Sequence, residues 1–266
     1  MSIGIFLNHA TPTTGPGKVA TNLFKGFEKL GVDFAINNFG GLNGCLQASP
    51  FLKVLPPRSL IGPNLMVLPT EMPFVWERYK NYIVPSQWTN EWYASYDITG
   101  KCNIDVWPIG IDTDLFDVEK KDTKRDCFIY FKNRTQEELK SLKNYLTIKK
   151  ISFEVIEYGH YTEEKLLNAV KESRFCILLT KTESQGIAYM EILSTNTPCY
   201  VFNKAVWDDY GAEHACSSSS VPFFDDSCGV IAEKYEQFDH FLDNLNSFEP
   251  RSYILSNHTL IQSAQK

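Results

Sequence analysis

The chain has 266 residues, room for one large domain or two small ones, and its 43% hydrophobic and 22% charged content is that of an ordinary globular protein. A net charge of −6 argues against a broad electrostatic footprint for nucleic acid, and no apolar run approaches the roughly 20 residues needed to span a membrane. The seven cysteines stand singly, without a Cys-x-x-Cys pair or a zinc spacing to the five histidines, which points to a reducing, cytoplasmic setting.

Ile3 to Asn8 reads as a first strand, because no basic lead or small-residue cleavage site marks it as a signal peptide. A loop, His9 to Gly17, follows. From Lys18 the apolar residues Val19, Leu23, Phe24, Phe27 and Leu30 mark one helix face, ended by Gly31. Val32 to Ile36 is the next strand, completing a βαβ opening. Gly15 and Gly17 precede this helix and suit either a close backbone approach to a ligand or a simple turn.

Residues 38–64 are rich in Gly, Asn and Pro and give no firm elements. Leu65 to Leu68 reads as a strand, with Glu71 just beyond its carboxyl end, where α/β folds hold ligands. Glu71 is therefore a candidate acceptor contact, although its setting favours a capping carboxylate for the next helix. Tyr82 to Val84 is a strand, and Ser86 is placed to cap the helix after it. Residues 117–125 are charged and expected to be exposed.

Cys127 to Phe131 begins a second set of elements. Lys132 and Arg134 lie where this strand turns into a helix from Gln136, and two cations at such a turn suit a diphosphate. Phe153 to Ile156 is the next strand, and Thr162 caps the helix after it. The apolar run Phe175 to Leu179 reads as a buried strand entering the polar turn Thr180 to Ser184 and Gly186. Ile187, Met190, Ile192 and Leu193 then recur at helical spacing until Pro198, and Cys199 to Phe202 is a strand. A loose region containing Ser217 to Ser220, a weak strand at Gly229 and two short helices, Phe238 to Leu245 and Tyr253 to Ile261, complete the chain.

Glu183 and Glu191 bracket the start of the helix after Gly186 and lie about 10–12 Å apart along it. That is too far for two carboxylates working on one bond, and suits a grip on two ends of an extended ligand. Between them lie the free N–H groups of a helix start, at Gly186 and Ile187, which favour a phosphate.

Glu183-Ser-Gln-Gly-Ile-Ala-Tyr-Met-Glu191 resembles the Glu-x7-Glu signature of retaining GT-B glycosyltransferases, most closely the GT4 type. Ser184 and Gln185 stand where the common pattern has Gly and Phe. Val84-Pro-Ser-Gln-Trp88 resembles a strand-to-helix junction of the same family, and Pro108-Ile-Gly-Ile-Asp112 its interdomain linker. Asp112-Thr-Asp114 also reads as Asp-x-Asp, the metal motif of the other large glycosyltransferase fold, but its setting favours the linker.

The resemblance implies an α/β GT-B fold, two Rossmann-like domains with a cleft between them and a short N-terminal domain. Residues 1–112 would form the acceptor-side domain and 113–250 the nucleotide-sugar domain, with 251–266 crossing back toward the first. It implies a retaining hexosyltransferase that needs no metal or other cofactor. A UDP- or GDP-sugar would be the donor and a glycan or other hydroxyl compound the acceptor. By the same resemblance Glu183 would hold the donor sugar and act in catalysis, and Glu191 would hold the ribose. Arg134, with Lys132 or Lys140, would grip the diphosphate beside Gly186, Ile187 and Gly17. The alternative is a nucleotide- or glycan-binding module without turnover.

Overall fold

The computed structural model describes residues 2–8, 14–65, 67–118 and 123–266. In chain order the elements are β1 (Ile3–Phe6), α1 (Gly15–Leu30), β2 (Phe34–Ile36), β3 (Leu42–Gln47), β4 (Leu60–Asn64), α2 (Pro73–Arg78), β5 (Asn81–Val84), α3 (Gln87–Ala94) and β6 (Asn103–Val106). Then come β7 (Arg125–Lys132), α4 (Gln136–Ile148), β8 (Phe153–Glu157), α5 (Glu163–Lys171), β9 (Ser173–Thr180), α6 (Ile187–Ser194) and β10 (Cys199–Phe202). The chain ends with β11 (Val206–Trp207), β12 (Cys216–Ser217), β13 (Gly229–Ala232), α7 (Phe238–Asp243), α8 (Pro250–Asn257) and α9 (Leu260–Gln265). Two compact units result: 1–110 together with 258–266, and 111–257.

The first unit is a parallel sheet in the order β2-β1-β3-β4-β5-β6. One face packs on an aromatic core in which the Trp76 and Tyr82 rings stack at 4.2 Å. The last helix belongs here: the Trp107 indole donates to the Ser263 carbonyl at 2.8 Å, and the Ser263 hydroxyl to the Pro108 carbonyl at 3.0 Å.

The second unit is a parallel sheet in the order β13-β10-β9-β7-β8. Its central strands are buried on both faces, so β9 reads as an unbroken apolar run: Phe175, Cys176, Ile177, Leu178 and Leu179 are all buried. Each such side chain contributes about 1.5–3 kcal/mol through its removal from water. Helices α3 and α5 begin at the expected caps, Ser86 and Thr162, and α4 begins at a further one, Thr135. Thr135 forms a capping box with Glu138, the Thr162 hydroxyl accepts from the Lys165 N–H at 3.2 Å, and Ser86 pairs with Thr89.

Three local expectations change. The strand expected at Leu65 to Leu68 is not there: Leu65, Val67 and Leu68 lie outside any strand, and Met66 is outside the described residues. The strand is β4 instead, hidden in the sequence because Gly62 and Pro63 read as turn residues. β3 likewise forms within the stretch without expected elements. The helix expected over Tyr253 to Ile261 is two helices, interrupted at His258. Residues 9–13 of the expected loop and 119–122 of the expected charged stretch lie outside the described residues.

Helix α9 can pack on α1 because Gly26 carries no side chain. A Cβ there would come within 2.7 Å of both the Ala264 Cβ and the Leu260 carbonyl oxygen. We expect Gly26→Leu to destabilise the protein by about 1–3 kcal/mol, the usual effect of overpacking. Chemical denaturation should show a lowered midpoint, and limited proteolysis earlier cleavage within 258–266. An unchanged midpoint would contradict this packing.

Candidate functional site

The site grows from the carboxyl ends of β7 and β9. Lys132 closes β7 opposite Thr180, and the Lys181 N–H donates to the Lys132 carbonyl at 3.0 Å. The turn that follows β9 is held by the loop after β12, the region that looks loose in sequence. The Glu183 N–H donates to the Ser219 carbonyl at 2.9 Å, and the Ser220 hydroxyl to the Thr180 carbonyl at 3.2 Å. Asn203 fixes that loop by accepting from the Ser220 N–H at 2.9 Å.

Gly186 then turns the chain into α6 with φ 73° and ψ 37°, a left-handed conformation. A Cβ at this position would fall 1.9 Å from the Tyr189 ring, so both the backbone angle and the packing require glycine. Tyr189 is in turn held by its hydroxyl, which accepts from the Phe223 N–H at 2.9 Å. No side chain caps the start of α6, whose first N–H groups form the kind of terminus that receives an anion.

Two carboxylates and a lysine dominate the electrostatics. Lys132 Nζ lies 2.8 Å from Glu183 Oε1 and 3.0 Å from Oε2, with both side chains largely buried. The same ammonium sits over the Tyr158 ring, 4.4 Å from its centroid. Burial pushes the Glu183 carboxyl above its ordinary range, and Lys132 pulls it part of the way back. Glu191, about one turn into α6, is 3% exposed. The Tyr130 and Tyr161 hydroxyls are 3.3 Å apart. Burial pushes Tyr161 up to about 12; the bond to Tyr130 works against that, and the Glu191 and Glu183 charges add to it. Tyr130 is raised by burial too, so the two phenols remain protonated and able to donate at neutral pH.

Lys132, Glu183, Gly186, Ile187 and Glu191 are thus assembled on one unit. Arg134 is there also, but its guanidinium is engaged. It donates to Glu138 Oε1 at 2.7 and 3.0 Å, to the Thr180 carbonyl at 3.1 Å and to the Phe202 carbonyl at 3.3 Å. It ties the ends of β9 and β10 to the start of α4. Lys140 lies on the exposed side of α4, leaving Lys132 as the lysine of the turn.

Gly17 and Glu71 belong to the first unit. Gly17 is buried in the first turn of α1, and its N–H donates to the Thr14 hydroxyl at 3.3 Å. Glu71 is exposed at the end of a 3-10 turn over Pro69–Glu71 whose first residue, Pro69, is buried. Asp112 and Asp114 lie in a turn in which Asp112 Oδ1 accepts from the Leu115 N–H at 3.3 Å, leading to buried Phe116. Tyr130, Tyr161 and Ser219 are additions that motif reading misses. Tyr130 had one signal: it precedes Lys132 by two residues on a strand, so the two side chains share a face.

No protein-family model matches the sequence, and neither does any curated protein. Solved structures do match along the whole chain. Sucrose-phosphate synthase from Thermosynechococcus elongatus superposes with a TM-score of 0.59 at 9% identity, over 99% of this chain and 96% of that one. The lipopolysaccharide outer core galactosyltransferase WaaB gives 0.58 at 11% identity, over 99% and 97%. An alpha-glucosyltransferase solved in complex with UDP gives 0.55 at 10%, over 99% and 96%. At these identities the likeness establishes the fold, a GT-B arrangement of Rossmann-like α/β units.

The Arg134–Glu138 pair carries a pH signature. Hydrogen bonding from Arg134, aided by the Thr135 amide and opposed by burial, holds the Glu138 carboxyl down at about 2. A depressed carboxyl contributes stability that is complete above its unfolded value of 4.5 and is lost as pH falls through about 2. Because the group is partly exposed, solvent screening reduces the contribution to about 1 kcal/mol. Glu138→Gln should therefore melt below the parent at pH 7, and the gap should close between pH 4.5 and 2. A gap constant across that window would show that the pair contributes no charge-dependent stability.

Proposed function

We propose that the chain is a glycosyltransferase that moves a hexose from a nucleoside diphosphate sugar to a hydroxyl acceptor with retention of configuration. The observation that carries this reading is the largely buried Lys132–Glu183 pair beside the uncapped start of α6, with Glu191 buried about one turn further on. The fold shared with glycosyltransferases supports it.

Lys132 and the N–H groups of Gly186 and Ile187 receive the donor diphosphate. Glu183 holds the sugar hydroxyls and Glu191 the ribose hydroxyls. Arg134 acts on the same site by fixing the strand ends that carry it. As the bond from the anomeric carbon to the diphosphate breaks, negative charge grows on the leaving oxygen, and the fixed positive groups stabilise it. The acceptor oxygen bonds the anomeric carbon on the same face, and its proton passes to the departing phosphate. The donor diphosphate competes with Glu183 for Lys132, so binding loosens that pair and frees the carboxylate for the sugar. Lys132 and a helix terminus supply the positive field, so the reaction needs no metal.

Calorimetry with UDP, GDP and ADP, each with and without EDTA, should show one nucleotide binding at micromolar to millimolar strength with no effect of the chelator. Donor hydrolysis should likewise survive EDTA. A folded sample that binds none of the three removes the reading. Activity lost with EDTA and restored by manganese would return the role to Asp112 and Asp114. Nucleotide binding without hydrolysis or transfer of any donor would favour a binding module.

The two carboxylates should separate by role. We expect Glu183→Gln to lower transfer by orders of magnitude while free nucleoside diphosphate binds as well as before or better. Glu191→Gln should weaken the free nucleotide by about ten- to a hundredfold, the loss of about 1.5–3 kcal/mol from a charged hydrogen-bonding group. Thermal melts establish that both variants fold. The opposite pattern would exchange the two roles.

A further inference from the structure

The first unit has a second concave site, on the face of its sheet rather than at the strand ends. Side chains alternate across each strand. Cys45, Ile61, Tyr82 and Val84 point to one face and are fully or nearly fully buried. Ile5, Leu42, Gly44, Leu46 and Leu60 point to the other, where Leu42 is 55% and Leu60 41% exposed. Topology explains the difference. From β3 to β6 the strands step in one direction, so right-handed connections between them all fall on the first face. The opposite face receives α1, which joins strands stepping the other way, and the returning α9. Phe27 of α1 and Ala264 of α9 form a wall, and the strip over β3 and β4 beside them is a cavity of about 420 Å³.

That volume lies in the range of roughly 300–1,000 Å³ typical of small-ligand pockets, which are mainly apolar with a few placed polar groups. This lining is of that kind. Arg58 lines the cavity and is exposed, with Nη2 donating to the Gly41 carbonyl at 3.4 Å. Lys266 lines the same cavity. The floor has room to spare: a Cβ on Gly44 would meet its nearest neighbours, Ile5 Cδ1 and the Leu60 carbonyl, only at 3.6 and 3.7 Å.

We propose that this cavity binds a single-chain anionic amphiphile, with the hydrocarbon chain along β3 and β4 and the anionic head at Arg58. A chain fills an apolar slot of this size, and a planar guanidinium in its lining selects a phosphate or carboxylate head. The site involves none of the residues assigned to the nucleotide sugar, and its test needs no nucleotide.

The test is calorimetry with dodecyl phosphate below its micellar concentration, with dodecyltrimethylammonium and inorganic phosphate as comparison ligands. Dodecyl phosphate should bind one to one with a sub-millimolar dissociation constant, and inorganic phosphate should not bind. Gly44→Leu fills the floor and should raise the dissociation constant at least tenfold while circular dichroism stays unchanged. Leu42→Glu, at an exposed position, should do the same by repelling the head. Arg58→Gln should remove the preference for the phosphate over the ammonium head. Absence of binding to the folded parent, or binding that Gly44→Leu leaves intact, overturns the proposal. So does equal affinity for the two head groups. Sedimentation showing a concentration-dependent dimer that Gly44→Leu abolishes would assign the face to a second copy of the chain and likewise overturn it.

Discussion

A largely buried ion pair organises the second unit. Removing a carboxylate and an ammonium from water costs several kcal/mol for each, and a close partner offsets this only when both are held in place. Lys132 is held at the end of β7, and Glu183 is held by its N–H on the Ser219 carbonyl. Deleting either partner would strand the other charge in a poorly solvated setting, so the turn after β9, the end of β7 and the loop after β12 are constrained together. Such a pair is weak as a source of stability. Its consequence is placement: it fixes a carboxylate and a cation beside an uncapped helix start.

Packing around that pair is equally specific. Gly186 reaches the left-handed region because it lacks a Cβ, and the space a Cβ would fill is taken by the Tyr189 ring. Tyr189 cannot withdraw, since its hydroxyl holds the Phe223 amide. Arg134 joins the ends of two strands and a helix cap in one set of hydrogen bonds. Together these contacts make a rigid receptor out of loop residues, and rigidity is what electrostatic stabilisation of a developing charge requires.

The first unit shows how connectivity decides which surface stays open. Its connections from β3 to β6 cover one face of the sheet, and the other depends on α1 and on a helix contributed from the far end of the chain. An apolar sheet face with only two helices over it is left partly exposed, and the cavity over β3 and β4 is the result. No property of the individual strands foretells this; it follows from the order in which they are laid down.

The order of residues alone carries the local grammar. Apolar runs and caps located β1, β5, the helix caps at Ser86 and Thr162 and every main strand of the second unit, because those signals act over a few residues. The placing of Glu183 and Glu191 on either side of a glycine turn was also legible, since strand, turn and helix are consecutive. Tertiary structure alone decided the rest. β4 was hidden because Gly62 and Pro63 carry turn preferences that sheet pairing overrode. The engagement of Arg134 depends on carbonyls 46 and 68 residues away, and the Tyr130–Tyr161 contact on residues 31 apart. Ser219 and Ser220 looked like loose loop because their partners are Glu183, Asn203 and Thr180, brought near only when β9 and β10 pair. Local preferences are written in neighbouring residues, whereas which distant groups meet is set by how the sheet is assembled.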